Sequence, residues 1–456
     1  MSLLKFESML KTNNVYFFDS VEFEEIIQHY LDSGKHSLAK KAVKLGLEQH
    51  PTSIILKLLK VELLIFEDKL QSANTLINEI EAVAPNNEEL LIQKAIILSK
   101  NDKHLEAILT LNKVLAITDD PVDIWSMVGM EYLYLDDFEN ARLNFANCID
   151  VDFEDYSSLY NVVYCFDMEN NHEEAITYLN NYIDTNPYCE VAWHQLGRQY
   201  FVLNKYKEAL RAFDYAVIID ESFIGGYLEK AKTLEELERF EEAIQNYLIT
   251  LELDDPTAFV YVRIGECYQK LGDLEAAVKY FKKAVHEDPL LDKGWLLLTN
   301  LFQEAKEYQK ALYYITKALH IDDSNSLYWR KYAEINLKLS FYEETVKAFY
   351  KCLDLTDNAI EIYVGIADVL SFLGDFEEAL KIMIKAKNTY KQFAEIEYRL
   401  CGLFMLTGKE KYSLIHLKNG LAIDAGYRTI IQELYPTVFD KEKVQTIIAN
   451  YLKATE

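Results

Sequence analysis

The chain has 456 residues, with 74 Asp and Glu against 47 Lys and Arg, a net charge of −27. That balance argues against the basic face with which a protein displaces counterions from nucleic-acid phosphates, so no nucleic-acid partner is expected. Half of the residues are hydrophobic and only 15 Gly and 7 Pro punctuate them, which predicts many helices joined by short turns rather than disorder or a sheet-rich fold.

Taken in order, residues 1–19 come first as an N-terminal cap segment. Leu3, Leu4, Phe6, Met9 and Leu10 suit a short helix, and Val15, Tyr16, Phe17 and Phe18 are apolar. The run that begins at Met1 holds no apolar stretch of signal-peptide length, and no segment approaches a membrane span. The six cysteines, Cys148, Cys165, Cys189, Cys267, Cys352 and Cys401, are far apart and show no metal spacing. The expectation is a reduced, cytoplasmic protein without a membrane partner. Asp19 followed by Glu22 has the spacing of a capping box that opens a helix.

From there a 34-residue period runs unbroken. Ala39, Ala73, Ala107, Ala141, Ala175, Ala209, Ala243, Ala277, Ala311, Thr345, Ala379 and Ser413 are spaced by 34 and are all small. A large residue keeps the same register at Phe23, Leu91, Trp125, Leu159, Trp193, Tyr227, Tyr261, Trp295, Trp329 and Tyr363, with Lys57 the one departure. In the last repeat the aromatic, Tyr398, falls one residue late, and the turn Thr407, Gly408, Lys409 is read as correspondingly shorter. The fullest repeat is the sixth, with Trp193, Leu196, Gly197, Tyr200, Ala209, Phe213 and Ala216 at the three- and four-residue steps of two amphipathic helices. Leu203 to Tyr206 turns the chain between them.

This set resembles the tetratricopeptide repeat, a 34-residue helix–turn–helix unit whose signature is Trp, Leu-Gly, Tyr, Ala, Phe, Ala and Pro. Only the closing Pro fails in repeat six, where Glu221 stands. Repeat eight matches with Tyr261, Ile264, Gly265, Tyr268, Ala277, Phe281, Ala284 and Pro289, and Pro51, Pro85 and Pro187 hold the closing position elsewhere. Val61, Ala95 and Val163 replace Gly at position 8 in repeats two, three and five, and a Val there is expected to push the paired helices slightly apart. The resemblance covers residues 20–425 as twelve repeats. It implies an all-α, right-handed superhelical solenoid of antiparallel helix pairs. Residues 426–456 leave the pattern: Tyr427 to Leu434 read as a helix ended by Pro436. Asp440 then opens a helix bearing Val444, Ile447, Ile448, Tyr451 and Leu452, a C-terminal cap. Acids where one repeat hands over to the next (Asp119 and Asp120, Asp220 and Glu221, Asp254 and Asp255, Asp288, Asp322 and Asp323) are expected to cap helix N-termini.

No catalytic constellation emerges. The nine His residues are scattered without an HExxH pattern, and Gly408 with Lys409 lacks the rest of a phosphate-cradling loop. His36, His104 and His172 all fall at position 17 and read as packing residues. A non-enzymatic chain without metal or cofactor is expected.

In the family that the chain resembles, the first helix of each pair lines a concave groove and exposes positions 2, 5, 9, 12 and 13. In repeats four to six these include Met130, Leu133, Tyr134, Tyr160, Tyr164, His194, Arg198 and Phe201. In repeats seven to ten they include Lys232, Glu235, Glu266, Gln269, Asn300, Gln303, Arg330 and Glu334. The lining thus changes from aromatic and apolar to mixed charge, unless coiling of the array buries some of these side chains against neighbouring repeats. The resemblance implies an interaction scaffold that holds a peptide or protein partner along that groove. Chaperone adaptors of the family clasp a terminal carboxylate with Lys and Asn across three successive repeats, and Asn300 and Arg330 are only fragments of that pattern. A monomer is expected. Self-association through the C-terminal helix, and a role as the substrate-recognition subunit of an enzyme complex, stay open as alternatives.

Overall fold

The computed structural model describes residues 2–12, 16–255 and 257–455, so Val15 lies outside the described residues. Every regular element among them is helical. After a first helix, Ser2–Thr12, twelve pairs follow at 34-residue intervals, from Ser20–Asp32 with His36–Gln49 to Ala394–Leu406 with Glu410–Ile423. The first member of each pair is called A and the second B.

The pairs close because of the small-residue register. All twelve residues from Ala39 to Ser413 are completely buried. The two hydroxyls in this series are satisfied where they sit: Thr345 donates to the Phe341 carbonyl at 3.0 Å and Ser413 to the Cys401 carbonyl at 2.6 Å. On the facing helix a Cβ added to Gly197 would stand 2.5 Å from the Phe213 ring, and one added to Gly265 would stand 2.5 Å from Phe281. In repeat five, where Val163 replaces that glycine, fewer residues of helices Tyr156–Met168 and His172–Thr185 approach one another closely than in the pairs of repeats six and eight.

One periodic feature is not stated by any hydrophobic pattern. The residue closing each A helix adopts the left-handed conformation, at Gly34, Asp68, Asp102, Asp136, Asn170, Asn204, Glu238, Gly272, Lys306, Ser340, Gly374 and Gly408, with φ between 54° and 85°. This conformation crowds Cβ against the backbone except in Gly and is tolerated best by Asn and Asp. Glu238, Lys306 and Ser340 lack that excuse. Lys306→Gly is therefore expected to raise stability by about 0.5–1 kcal/mol, read as an increase in urea midpoint at constant slope. The same register corrects the reading of repeat twelve. Gly408 has φ 76° and lies 34 residues after Gly374, so its turn is of ordinary length. What shifts is the aromatic: Tyr398 moves one place along its helix, is wholly buried and donates to the Asp424 carbonyl at 2.9 Å.

Successive repeats are joined by turns of recurring design. Indole Nε1 of Trp193, Trp295 and Trp329 donates to the carbonyl six residues earlier, of Pro187, Pro289 and Asp323, at 2.8–3.0 Å. The aromatic at position 4 thus pins the preceding loop. Asp120 accepts from the N–H of Val122, the first residue of its helix, at 3.4 Å, but three other junction acids serve a different purpose from the expected one. Asp220, Asp288 and Asp322 accept from the backbone N–H two residues on, of Ser222, Leu290 and Ser324, at 2.8–3.0 Å. These are Asx turns that shape the loop, because the carboxylate sits too early to reach the helix N-terminus. The A-helix caps are instead Ser53, Asn87, Asp155, Cys189, Thr257 and Asn325. Asp19 and Glu22 do form the reciprocal capping box. Cys148 and Cys352 are fully buried packing residues whose thiols point to the Val122 and Ser326 carbonyls.

The chain divides into two compact bodies, Met1–Thr233 and Leu234–Glu456. In the first, Phe6 of the leading helix lies edge-on to Phe18 and Phe23, at 5.8 and 6.1 Å between ring centroids, which closes the open side of repeat one. In the second, Ile431, Tyr435, Val438, Val444 and Ile448 join one buried cluster with Tyr398, Leu417 and Leu421 of repeat twelve. The helix Thr429–Leu434, led in by a 3-10 turn at Ala425–Arg428, stops before Pro436, which also opens a short helix, Pro436–Phe439, and the last helix is Glu442–Thr455.

A candidate partner-binding face

The A helix of each pair carries the expected site residues, and in the first body the structure sorts them by exposure. Tyr134 is 59% exposed, Tyr160 42%, Tyr164 48% and Met130 36%. Arg198 is also exposed, with a 3.3 Å hydrogen bond to Gln195 and no ion pair among the described residues. Phe201 is half-buried, edge-on to Tyr206 at 5.3 Å. Tyr134 is held by a stacked contact of 5.0 Å with His104, whose Nδ1 lies 2.8 Å from Glu131. These large side chains sit at recurring repeat positions because the opposite helix face is consumed by the small-residue contacts. Met168, at position 13 of repeat five, is 47% exposed and continues the strip.

His194 does not belong to the surface. It is only 9% exposed, packed 5.1 Å from Phe223 and 5.7 Å from Phe213, and its Nδ1 has no hydrogen-bond partner among the described residues. Gly225 lies beside the ring, at a distance where an added Cβ would stand 3.7 Å from Nε2. Burial dominates its titration and lowers its pKa to about 4, so it is a neutral packing group. Lys232 is half-buried and pairs with Glu229 at 2.6 Å along its own helix.

In the second body the mixed-charge residues are largely engaged with one another. Arg330 makes two 2.6 Å bonds to the Asp357 carboxylate, a forked clamp onto the next turn. Asn300 is half-buried, with its amide oxygen lacking a partner among the described residues. Arg263, which the position rule does not select, ties the face together: it grips Glu235 at 2.6 and 3.1 Å and Glu266 at 2.9 Å. Tyr247, wholly buried, donates to Glu235 at 2.5 Å. Burial raises the Glu235 carboxyl, against the opposing effects of Tyr247 and Arg263. Glu235, Glu238, Arg263, Glu266 and Lys270 line a cavity of about 500 Å³. The signal for this cluster is Tyr247 itself, a tyrosine in the slot that Phe213 and Phe281 fill in their repeats. A buried hydroxyl there requires a polar partner.

His36, His104 and His172 bridge to the next A helix as packing residues. His36 stacks on Phe66 at 4.1 Å, and His172 Nδ1 lies 2.8 Å from Gln199. Burial pushes the Cys165 and Cys352 thiols up to about 11. Among the described residues no group of His, Cys, Asp and Glu is placed to hold a metal ion, and no helix is long and apolar enough to cross a membrane.

With helix pairs, turn register and exposed A face established, the class of the chain follows. Residues 258–289 and residues 360–393 each match the tetratricopeptide repeat family. The chain thus contains tetratricopeptide repeats, two of them matched by sequence within an array of twelve tandem helix pairs. No curated protein matches it in sequence. Among solved structures it is similar to the C-terminal part of a TPR repeat-containing protein from Cytophaga hutchinsonii, at 16% identity over 53% of this chain and 99% of that one, with a TM-score of 0.44. It is also similar to YrrB, described as a TPR protein with an unusual peptide-binding site, at 15% identity over 39% of this chain and 91% of that one, TM-score 0.34. A third similarity is to the APC/C hetero-tetramer Cut9–Hcn1, at 14% identity over 99% of this chain and 92% of that one, TM-score 0.34.

Proposed function

We propose that the protein is a non-catalytic scaffold that holds a protein or peptide partner on the A-helix face of its first body. The observation that carries this reading is the strip of exposed Met130, Tyr134, Tyr160, Tyr164 and Met168 on successive A helices, beside an unpaired Arg198. Tyrosines that keep large apolar area and a polar tip in solvent suit recognition, since they bury much surface at small entropic cost and anchor binding hot spots. Arg198 offers donors in a planar fork, one of them bonded to Gln195, and has no ion pair among the described residues.

The test is Tyr160→Ala combined with Arg198→Ala. Both side chains are on the surface, so the melting temperature is expected to stay within about 2 °C, in line with surface changes of roughly 0.5 kcal/mol or less. Partner recovery in a quantitative pull-down with mass spectrometry is expected to fall at least tenfold relative to the unaltered chain. Equal recovery of every partner by the folded double variant would remove this face as the site.

A further inference from the structure

The proposed binding face carries a charge pattern that selects its occupant. Across the groove positions of repeats one to five the sequence places six carboxylates, Glu24, Asp32, Glu62, Glu89, Asp123 and Asp167, against one cation, Lys100. Residues 101–200 alone hold nineteen Asp and Glu and four Lys and Arg, more than half of the net charge of the whole chain. Two of those four cations are already committed, Lys103 to Glu106 and Arg142 to Glu169.

The geometry sharpens this at the first three repeats, whose A helices lie against one another in succession. Asp32, Glu62 and Glu89 are exposed on these three helices, and none has an ion pair among the described residues. Asp32 and Glu89 accept only neutral amide donors, Gln28 at 3.1 Å and Gln93 at 2.7 Å. Crowding by the helices, then the charges of Glu89 and Asp32, raise the Glu62 carboxyl above its ordinary value. Like charges converging on one face without a counter-ion cost stability in the free protein. Exposed apolar side chains lie in the same rows, Ile55 and Phe66 in repeat two, then the tyrosines of repeats four and five.

We infer that the face takes a cationic, amphipathic polypeptide segment of another protein, which rests on the reading of this face as the partner site. Lys and Arg of that segment answer the unpaired carboxylates. Its apolar side chains cover Phe66, Met130 and Met168, and the Tyr160 and Tyr164 ring faces accept cations as well as apolar groups. An acidic segment meets repulsion along five repeats and is excluded.

The experiment uses the full chain and three fluorescein-labelled twenty-residue probes read by anisotropy. The first has Leu and Phe on one helical face and Lys on the other, the second replaces every Lys with Glu, and the third replaces Leu and Phe with Ser. The expected result is saturable binding of the first probe alone, weakening as salt rises. Glu62→Lys with Glu89→Lys is expected to weaken it at least tenfold. Glu173→Lys with Glu174→Lys, an equal charge change at exposed sites on the B helix of repeat five, is expected to alter it less than twofold. Equal binding of the Glu probe, or equal weakening by the B-helix variant, overturns the inference, the latter by showing a diffuse field instead of a face. If the Lys probe fails to bind while Tyr160→Ala with Arg198→Ala still abolishes partner recovery, the face stands as a site and the cationic occupant falls. If the probe results hold but that recovery is unchanged, the scaffold reading of Tyr160 and Arg198 falls instead.

Discussion

Gly265→Ala is expected to destabilise the second body by about 1–3 kcal/mol as an overpacked contact, whereas the same change in a Phe281→Ala background is expected to stabilise it. The reversal follows from the geometry of repeat eight. Phe281 is completely buried, and its ring lies where the new Cβ would stand, 2.5 Å from one ring carbon and 2.6 Å from the next. The ring cannot retreat, because Ala277 and Ala284 on its own helix are also fully buried. Phe281→Ala alone removes the ring and leaves a cavity, at about 3–5 kcal/mol. Once the ring is gone, the three closest obstacles to the methyl group introduced in place of Gly265 are removed; it fills part of the void and recovers up to about 1 kcal/mol of helix propensity that glycine forfeits. A double-mutant cycle should therefore return a favourable coupling of about 2–3 kcal/mol. Urea unfolding of a background that keeps Trp295, in the next repeat, and replaces the other three tryptophans with Phe reports it by fluorescence. Additivity within about 0.5 kcal/mol would mean that the two positions do not share a contact.

The array was legible because its packing depends on residues that recur in size. Ala209 and Ala277 must be small to let two helices touch, and that demand repeats every 34 residues whatever surrounds it. Turn chemistry was half legible. Gly34, Asp68 and Asn170 advertise a left-handed residue, but Lys306 and Glu238 occupy the same conformation with no propensity for it, imposed by the helices on either side. The junction acids misled for a geometric reason: a carboxylate preceding a helix looks like a cap, yet Asp220 and Asp322 lie too early in the loop and fold it instead. The face was legible by position and not by environment. The position rule selected Tyr160, Tyr164 and Arg198, which are exposed, together with His194, which a bulky Phe223 draws under the next turn. It also passed over Arg263, since pairing with a residue 28 positions away follows from the stacking of repeats and leaves no local trace. Arg330 and Arg263, like Arg142 in the first body, spend their charge on neighbouring repeats, while Arg198 has no ion pair among the described residues.

Arg399→Ala is expected to cost about 3–5 kcal/mol, the range for removing one partner of a buried ion pair. Arg399 is 6% exposed on the A helix of repeat twelve. It forks onto Asp368 of repeat eleven at 2.9 and 3.0 Å and reaches Glu395 at 2.8 Å. The closing segment seals the layer, since Tyr435 lies so near Gly402 that a Cβ there would stand 2.1 Å from its ring. Truncation leaves two carboxylates without their cation beneath that cover. Their side chains keep 34% and 25% exposure, so water relieves part of the penalty and the lower end of the range is the better value. Arg399→Lys discriminates between charge and geometry. A Lys restores the positive charge but cannot donate to both Asp368 oxygens in one plane, so it is expected to recover less than half of the loss. If Lys restores full stability, the forked geometry contributes nothing and the site is a simple charge balance. Arg399→Met keeps most of the volume, and it should fall between Ala and Lys if packing beneath Tyr435 carries part of the cost. Measured by urea unfolding with Trp329 as the probe, the order Ala, Met, Lys, Arg from least to most stable is the expected result. An Ala variant as stable as the unaltered chain would show that the closing segment rearranges and hydrates the carboxylates fully.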